Sequence, residues 1–303
     1  MSHARPLVAA RALVLLGTLL SAAPPVLASD AVGGDLDAIL ERGVLRHLGI
    51  PYANFVTGAG DGFDVELVRG FAASLGVRYE FVETAWPAAL PDLVGRGVSP
   101  VASDPATAPV RPVRGDLLAT GLTVLPWRER AVAFSSPVFP TQVWVVARAS
   151  SAVRPIEPTG SVPTDIERVK KLLARRELLA VAGTCLDPTL YALDRTGAVV
   201  MLKQIRLDEV APALIHGEGE LALLDVADAM IALAKWPGEV KVIGPISPQQ
   251  EMAVAFRKDA PRLRQAFEEY LERIRRDGTY ARLVKSYFPE APIYFRSFFG
   301  AME

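Results

Sequence analysis

The chain has 303 residues, with 33 Lys and Arg against 34 Asp and Glu, and this formal net charge of −1 argues against a nucleic-acid partner. Half of its residues are hydrophobic and it holds one cysteine, Cys185, so it has no internal disulfide and must rely on buried cores. Its histidines, His3, His47 and His216, are scattered without the spacing of a metal site, and neither a metal nor another cofactor is expected.

The first residues carry Arg5 and Arg11 and no acidic residue. An apolar run over 12–20 and Ala-Pro-Pro-Val-Leu-Ala before Ser29 follow. This is the pattern of a secretory signal peptide, with Val26 and Ala28 in the small-residue positions before a cleavage point, and it predicts export to the periplasm after removal of residues 1–28. A membrane-spanning helix would need about 20 apolar residues without the Pro24-Pro25 interruption. Cleavage removes two cations and no anion, moving the formal charge from −1 to −3. The remaining chain, about 275 residues, suffices for two modest domains.

Residues 45–51 form a short apolar run between Gly43 and Pro51, which predicts a buried strand; His47 within it is expected to be a hydrogen-bonded core residue. Gly62 and Asp64 introduce a helix whose apolar positions Val68, Phe71, Ala72 and Leu75 keep helical spacing up to the stop at Gly76. Residues 77–82 predict the next strand and 85–94 a second helix. Strand, helix, strand opens a parallel α/β layer. Residues 98–113, rich in Pro, Ala, Ser and Val without periodicity, predict an exposed insertion. Strands are expected at 142–148, 178–182, 199–202, 221–224 and 252–256, a proline-bearing loop at 154–164, and a helix from 187 to 194. The segment 260–276 is strongly amphipathic, with Leu263, Phe267, Tyr270, Leu271 and Ile274 on one side; Asp277-Gly278 ends it before a last helix that stops near Phe288-Pro289.

Within residues 116–136, Arg128 stands just beyond an apolar strand and a hydroxyl-bearing turn in the run Gly-Leu-Thr-Val-Leu-Pro-Trp-Arg. A planar guanidinium, always charged and offering paired donors, suits capture of a small carboxylate, although the same residue could be a surface arginine at a helix start, as Arg130 is expected to be. The stretch resembles the first-lobe signature of extracytoplasmic solute-binding proteins of family 3, the amino-acid-binding components of ABC importers, and the resemblance continues across most of the chain. It implies an α/β clamshell of the type II periplasmic-binding fold with two hinge crossings, near Pro140 and Gln250. Lobe one would then comprise 29–139 and 250–303, and lobe two 140–249.

The resemblance also implies the site. Arg128 would take the ligand α-carboxylate, and Asp225, at the end of the apolar run Leu-Ala-Leu-Leu, its α-ammonium. Gly121 and Thr123 would add a backbone carbonyl and a hydroxyl, and Thr184, in an Ala-Gly-Thr turn at a helix start, would serve the second carboxylate oxygen. Tyr52 and Trp86, each just after a strand, would wall the ligand side chain, unless they are core aromatics. Leu125 stands where relatives carry Thr or Ser, and Trp127 where they carry a small or acidic residue. Ile50 replaces an Asp common in relatives, which points toward a neutral or apolar ligand side chain.

The implied function is capture of a small-molecule zwitterion, an amino acid, by a monomeric, non-enzymatic periplasmic protein that hands it to an ABC permease. Two alternatives stay open: a ligand sensor or accessory protein that docks on a membrane partner, and a periplasmic dehydratase using Glu220 or Glu251 as acid or base. In lytic transglycosylases with this clamshell a catalytic domain is fused to it, and a chain ending soon after Phe288 is not expected to carry one.

Overall fold

The computed structural model describes residue 1 and residues 36–98 and 108–300. The signal-peptide expectation falls on residues outside this set. Among the described residues no helix is long and apolar enough to cross a membrane.

The described residues 36–98 and 108–300 lie in one compact unit. Its first half runs α1 (Leu36–Arg42), β1 (Val44–Gly49), α2 (Phe63–Ser74), β2 (Arg78–Glu83), α3 (Trp86–Val94), β3 (Leu117–Leu118), α4 (Pro126–Glu129) and β4 (Ala133–Phe134). After β5 (Phe139–Thr141) come β6 (Val143–Arg148), α5 (Val162–Lys171), β7 (Glu177–Ala180), β8 (Val199–Leu202), α6 (Val210–Ile215), β9 (Leu221–Asp225), α7 (Val226–Lys235) and β10 (Val240–Pro245). The chain closes with β11 (Gln250–Met252), β12 (Ala255–Phe256), α8 (Pro261–Arg276), α9 (Thr279–Tyr287), α10 (Ala291–Tyr294) and α11 (Arg296–Phe299).

These strands build two five-stranded sheets, ordered β2-β1-β3-β12-β4 and β10-β6-β9-β7-β8. In the first, β1 pairs parallel with β2 and β3, while β12 returns antiparallel between β3 and β4. In the second, β7 pairs parallel with β8 and β9, and β6 and β10 add antiparallel partners. A two-stranded ladder links the sheets, with Phe139 opposite Met252 and Thr141 opposite Gln250. The molecule is thus a two-lobed α/β protein, each sheet covered by helices as parallel strands require.

The first sheet buries both faces. Leu48, Ile50 and Leu118 pack against Ala89, Leu90 and Leu93 of α3 on one side. On the other, Phe71 of α2 meets Phe267 of α8 edge-on with ring centres 5.2 Å apart. His47 lies fully buried between Tyr79 Oη (2.9 Å from Nδ1) and the Ala119 carbonyl (2.7 Å from Nε2), and burial lowers its pKa to about 4, as a neutral core histidine requires.

Several local expectations change. Residues 187–194 form no α-helix but two 3-10 turns, Pro188–Tyr191 and Leu193–Thr196. Ala192 between them sits in the left-handed region (φ 52°), which ends the first four-residue turn before an α-helix can continue. The expected strand at 252–256 is two short ones, because 250–252 pairs with β5 and 255–256 with β3 and β4, so the chain changes sheets between them. Around the insertion, Arg96 bridges Val110, the Gly97 amide donates to Pro109 O (3.1 Å) and the Arg111 amide to Gly95 O (2.9 Å). The insertion therefore leaves the body on a paired antiparallel base, while its residues 99–107 lie outside the described set. The aromatic C-terminal segment adds two unforeseen helical turns laid against the body, with ring centres 6.0 Å apart for Phe299 and Phe139 and 5.9 Å for the exposed Tyr294 and Trp144.

Candidate functional site

The sequence-predicted residues sit at carboxyl ends of parallel strands, where a sheet leaves an open crevice. Tyr52 follows β1, Trp86 follows β2, and Gly121 and Thr123 follow β3; Thr184 follows β7 and Asp225 ends β9. Arg128 lies in α4, whose Pro126 starts the short helix and turns the chain back toward Thr123.

Gly121 is required by its backbone. Its φ is +60°, and a Cβ there would come within 2.5 Å of the Phe55 ring. Its amide donates to Asp64 Oδ2 at 2.6 Å, while Asp64 Oδ1 is buried without a partner and burial raises that carboxyl to about 7.

Arg128 is only 2% exposed. Its Nη1 donates to the Thr123 carbonyl at 2.8 Å and its Nε has no partner. Burial lowers its pKa to about 10, so it stays a cation at neutral pH. Among the described residues no carboxylate pairs with it; its guanidinium carbon lies instead 5.9 Å from the Trp86 ring centre and 5.2 Å from that of Trp127. The Thr123 hydroxyl beside it is buried and unpartnered.

Asp225 is fully buried and caps α7 by accepting from the Ala227 amide at 2.9 Å. The Cys185 thiol donates toward its other oxygen at 3.9 Å. Burial raises the Asp225 carboxyl to about 6 against the hydrogen bonds that favour its charge, and no Lys, Arg or His pairs with it among the described residues. Tyr52 reaches it from the first sheet: the hydroxyl is buried, close enough to Asp225 and Asp228 to feel both carboxylates, yet without a hydrogen bond of good geometry to either. Trp86 meets Tyr52 edge-on at 5.7 Å and is half-buried.

Thr184 is buried with its hydroxyl already committed, donating to Val181 O at 2.8 Å and accepting from the Leu186 amide at 3.0 Å. The turn it occupies leads into 3-10 turns rather than a helix start, so the anion-favouring N-terminus expected there is absent. Trp86 and Thr184 line a cleft of about 520 Å³ between the sheets, which Arg128 and Asp225 do not reach; those two lie in the closed interior.

Sequence reasoning overlooked Thr141, Gln250, Asp228 and Asp64, each with a buried unpartnered oxygen around this cluster. Only Asp228 carried a usable signal, as an acidic residue inside the otherwise apolar start of α7. Glu220 and Glu251 do not join the cluster: Glu220 is held by Arg176 and Glu251 is exposed.

The bacterial extracellular solute-binding proteins, family 3, match this chain over residues 98–290. The chain belongs to that family. The amino-acid-binding protein AabA of Dichelobacter nodosus is 24% identical over 239 residues, covering 77% of this chain and 81% of the relative. A membrane-bound lytic murein transglycosylase F of Desulfosudis oleivorans is 22% identical over 227 residues, 75% of this chain, which spans only 44% of that relative's length. Similar solved structures include a mutant of ArgBP from T. maritima, with a TM-score of 0.65 and 22% identity over 84% of this chain and 98% of that one. The ancestral amino acid-binding protein AncCDT-1, a precursor of cyclohexadienyl dehydratase, has a TM-score of 0.62 and 23% identity over 83% and 98%. These structures share the two-lobed fold with this chain.

The buried Asp225 gives a pH signature. Its folded pKa of about 6 lies above the ordinary value of 3.8, so its contribution to stability is present below about pH 4 and is lost as pH rises through 6. Asp225→Asn keeps the cap and removes the titration. Thermal melts should show the variant gaining on the wild type between pH 4.5 and 7.5 by roughly 1–2 kcal/mol; a gap that stays constant with pH would contradict the burial of an ionisable Asp225.

Proposed function

We propose that this protein is an amino-acid-binding component of an import system, holding the ligand α-carboxylate on Arg128 and the α-ammonium on Asp225. The observation that carries this reading is a buried cation and a buried carboxyl group, from different sheets, neither with an ion-pair partner among the described residues. A buried charge left unpaired is strongly unfavourable, and a zwitterion supplies both missing partners at once. The unpartnered Thr123 hydroxyl and the Gly121 loop complete a polar floor, and Tyr52 and Trp86 an aromatic wall. Because the charges come from the two sides of the β5–β11 ladder, lobe closure is coupled to occupancy. The names of AabA and of the arginine- and amino-acid-binding structural relatives support the ligand class.

In this reading the lobes are 29–139 with 250–303, and 140–249. Residues 1–28 direct the chain to the periplasm and are removed, and the monomer delivers its ligand to an ABC permease without catalysing a reaction. A thermal-shift screen of the purified protein against the standard amino acids, dicarboxylates and small amines tests the class. An amino acid at 100 times its dissociation constant should stabilise by about 2.7 kcal/mol. Stabilisation by amines or dicarboxylates with none by any amino acid would reject it.

A further inference from the structure

The zwitterion leaves one buried charge over. Asp228, in the first turn of α7 beyond Asp225, is 6% exposed and its Oδ2 has no hydrogen-bond partner. It receives no backbone amide as a capping residue would, and among the described residues it has no ion pair. The charged groups that act on it are Asp225 and Asp208, both acidic, so with burial they push its carboxyl well above the usual range.

The cations nearby are engaged elsewhere. Arg206 is taken up by Asp208 in a two-pronged pair, Nε to Oδ1 at 3.0 Å and Nη2 to Oδ2 at 2.6 Å. The Lys235 ammonium lies 4.7 Å over the Trp236 ring. A cavity of about 220 Å³ adjoins Asp228 and is also lined by Tyr52, Asn54 and Asp208, with the engaged Arg206 and Lys235 on its wall as well. The Tyr52 hydroxyl at this boundary is a second buried polar group without a partner, contributed by the other sheet.

Counted together, Arg128, Asp225 and Asp228 place one guanidinium and two carboxyl groups in the interior, and a ligand carrying one carboxylate and two cationic groups would pair with all three and favour the ionised form of both carboxyls. We propose that Asp228 is a specificity-determining residue that receives the side-chain cation of a basic α-amino acid, the side chain running past Tyr52 into the cavity bordered by Asn54, Asp208 and Asp228. This rests on the amino-acid reading above and narrows it. Ile50 offers no charge for such a group, so the acceptor has to come from the second sheet, and α7 provides it.

Calorimetric titration of the purified protein at pH 7.5 with matched ligands tests the proposal: L-arginine against L-citrulline, and L-lysine against L-norleucine, for the wild type and for Asp228→Asn. The wild type should bind at least one basic acid ten-fold or more tightly than its uncharged counterpart, and this ratio should fall to about three-fold or less in the variant. Neutral acids binding as well as basic ones in the wild type would overturn the proposal while leaving the amino-acid reading intact, and that comparison holds whether or not the variant folds. A ratio unchanged in folded Asp228→Asn would also overturn it. Binding of no α-amino acid, basic or neutral, would remove both.

Discussion

Arg128→Ala is expected to weaken capture of an amino acid by about 2–5 kcal/mol, roughly 30- to 5,000-fold in affinity. The size follows from burial. A guanidinium 2% exposed and without a carboxylate partner among the described residues contributes its full desolvated attraction to the ligand carboxylate, and its removal leaves that carboxylate buried without a counter-charge. Asp225→Ala should cost a comparable amount through the ammonium, with an added loss of helix stability of about 1 kcal/mol because Asp225 also caps α7. The ligand-free Arg128→Ala protein should melt close to the wild type, because losing the hydrogen bond to the Thr123 carbonyl is offset by removing a buried charge that has no ion-pair partner among the described residues. Calorimetry together with thermal melts separates the two effects, and an Arg128→Ala variant that binds as tightly as the wild type would contradict the site.

The second large effect is structural. Phe139 is fully buried in β5, where the chain passes from one sheet to the other. Its ring lies 5.2 Å from Phe55, 5.8 Å from Phe63 and 4.6 Å from Phe288, so one aromatic cluster joins the crossing strand to the loop after β1, to α2 and to the end of α9. Phe139→Ala should destabilise by about 3–5 kcal/mol, since the rings around it are held by their own elements and cannot collapse into the space. For a protein of this size that is a fall in Tm of roughly 6–20 °C. The exposed Leu202→Ala, by contrast, should shift stability by no more than about 0.5 kcal/mol. A Phe139→Ala melt within 2 °C of the wild type would show that the cluster does not hold the crossing.

Much of the fold was legible because its strands and helices follow simple rules. The apolar runs of β1, β7 and β9 and the period of α8, with Leu263, Phe267, Tyr270, Leu271 and Ile274 all buried, describe elements whose burial is decided within each segment. The errors lie where tertiary context decides. Residues 252–256 read as one strand because their apolarity is continuous, and only the partner strands divide them. The expected helix at 187–194 failed on the left-handed Ala192, which composition does not reveal. In the site, Arg128 and Asp225 could be named because each lies in a recognisable local run. Asp64 could not be placed, since its meaning comes from the Gly121 amide 57 positions away. Asp228 carried a local signal, an acidic residue in the otherwise apolar first turn of α7, but an acidic first turn is ordinary, and only its buried Oδ2, without a hydrogen-bond partner among the described residues, gives it weight.

In the proposed reading Arg128 recognises the carboxylate of a zwitterion. The most direct test is a titration of wild type and Arg128→Ala with one bound amino acid and with the amine that lacks only its carboxylate. The wild type should prefer the amino acid by 100-fold or more, and the variant should bind the two equally. A preference that survives in Arg128→Ala would place carboxylate recognition on another residue and contradict the account.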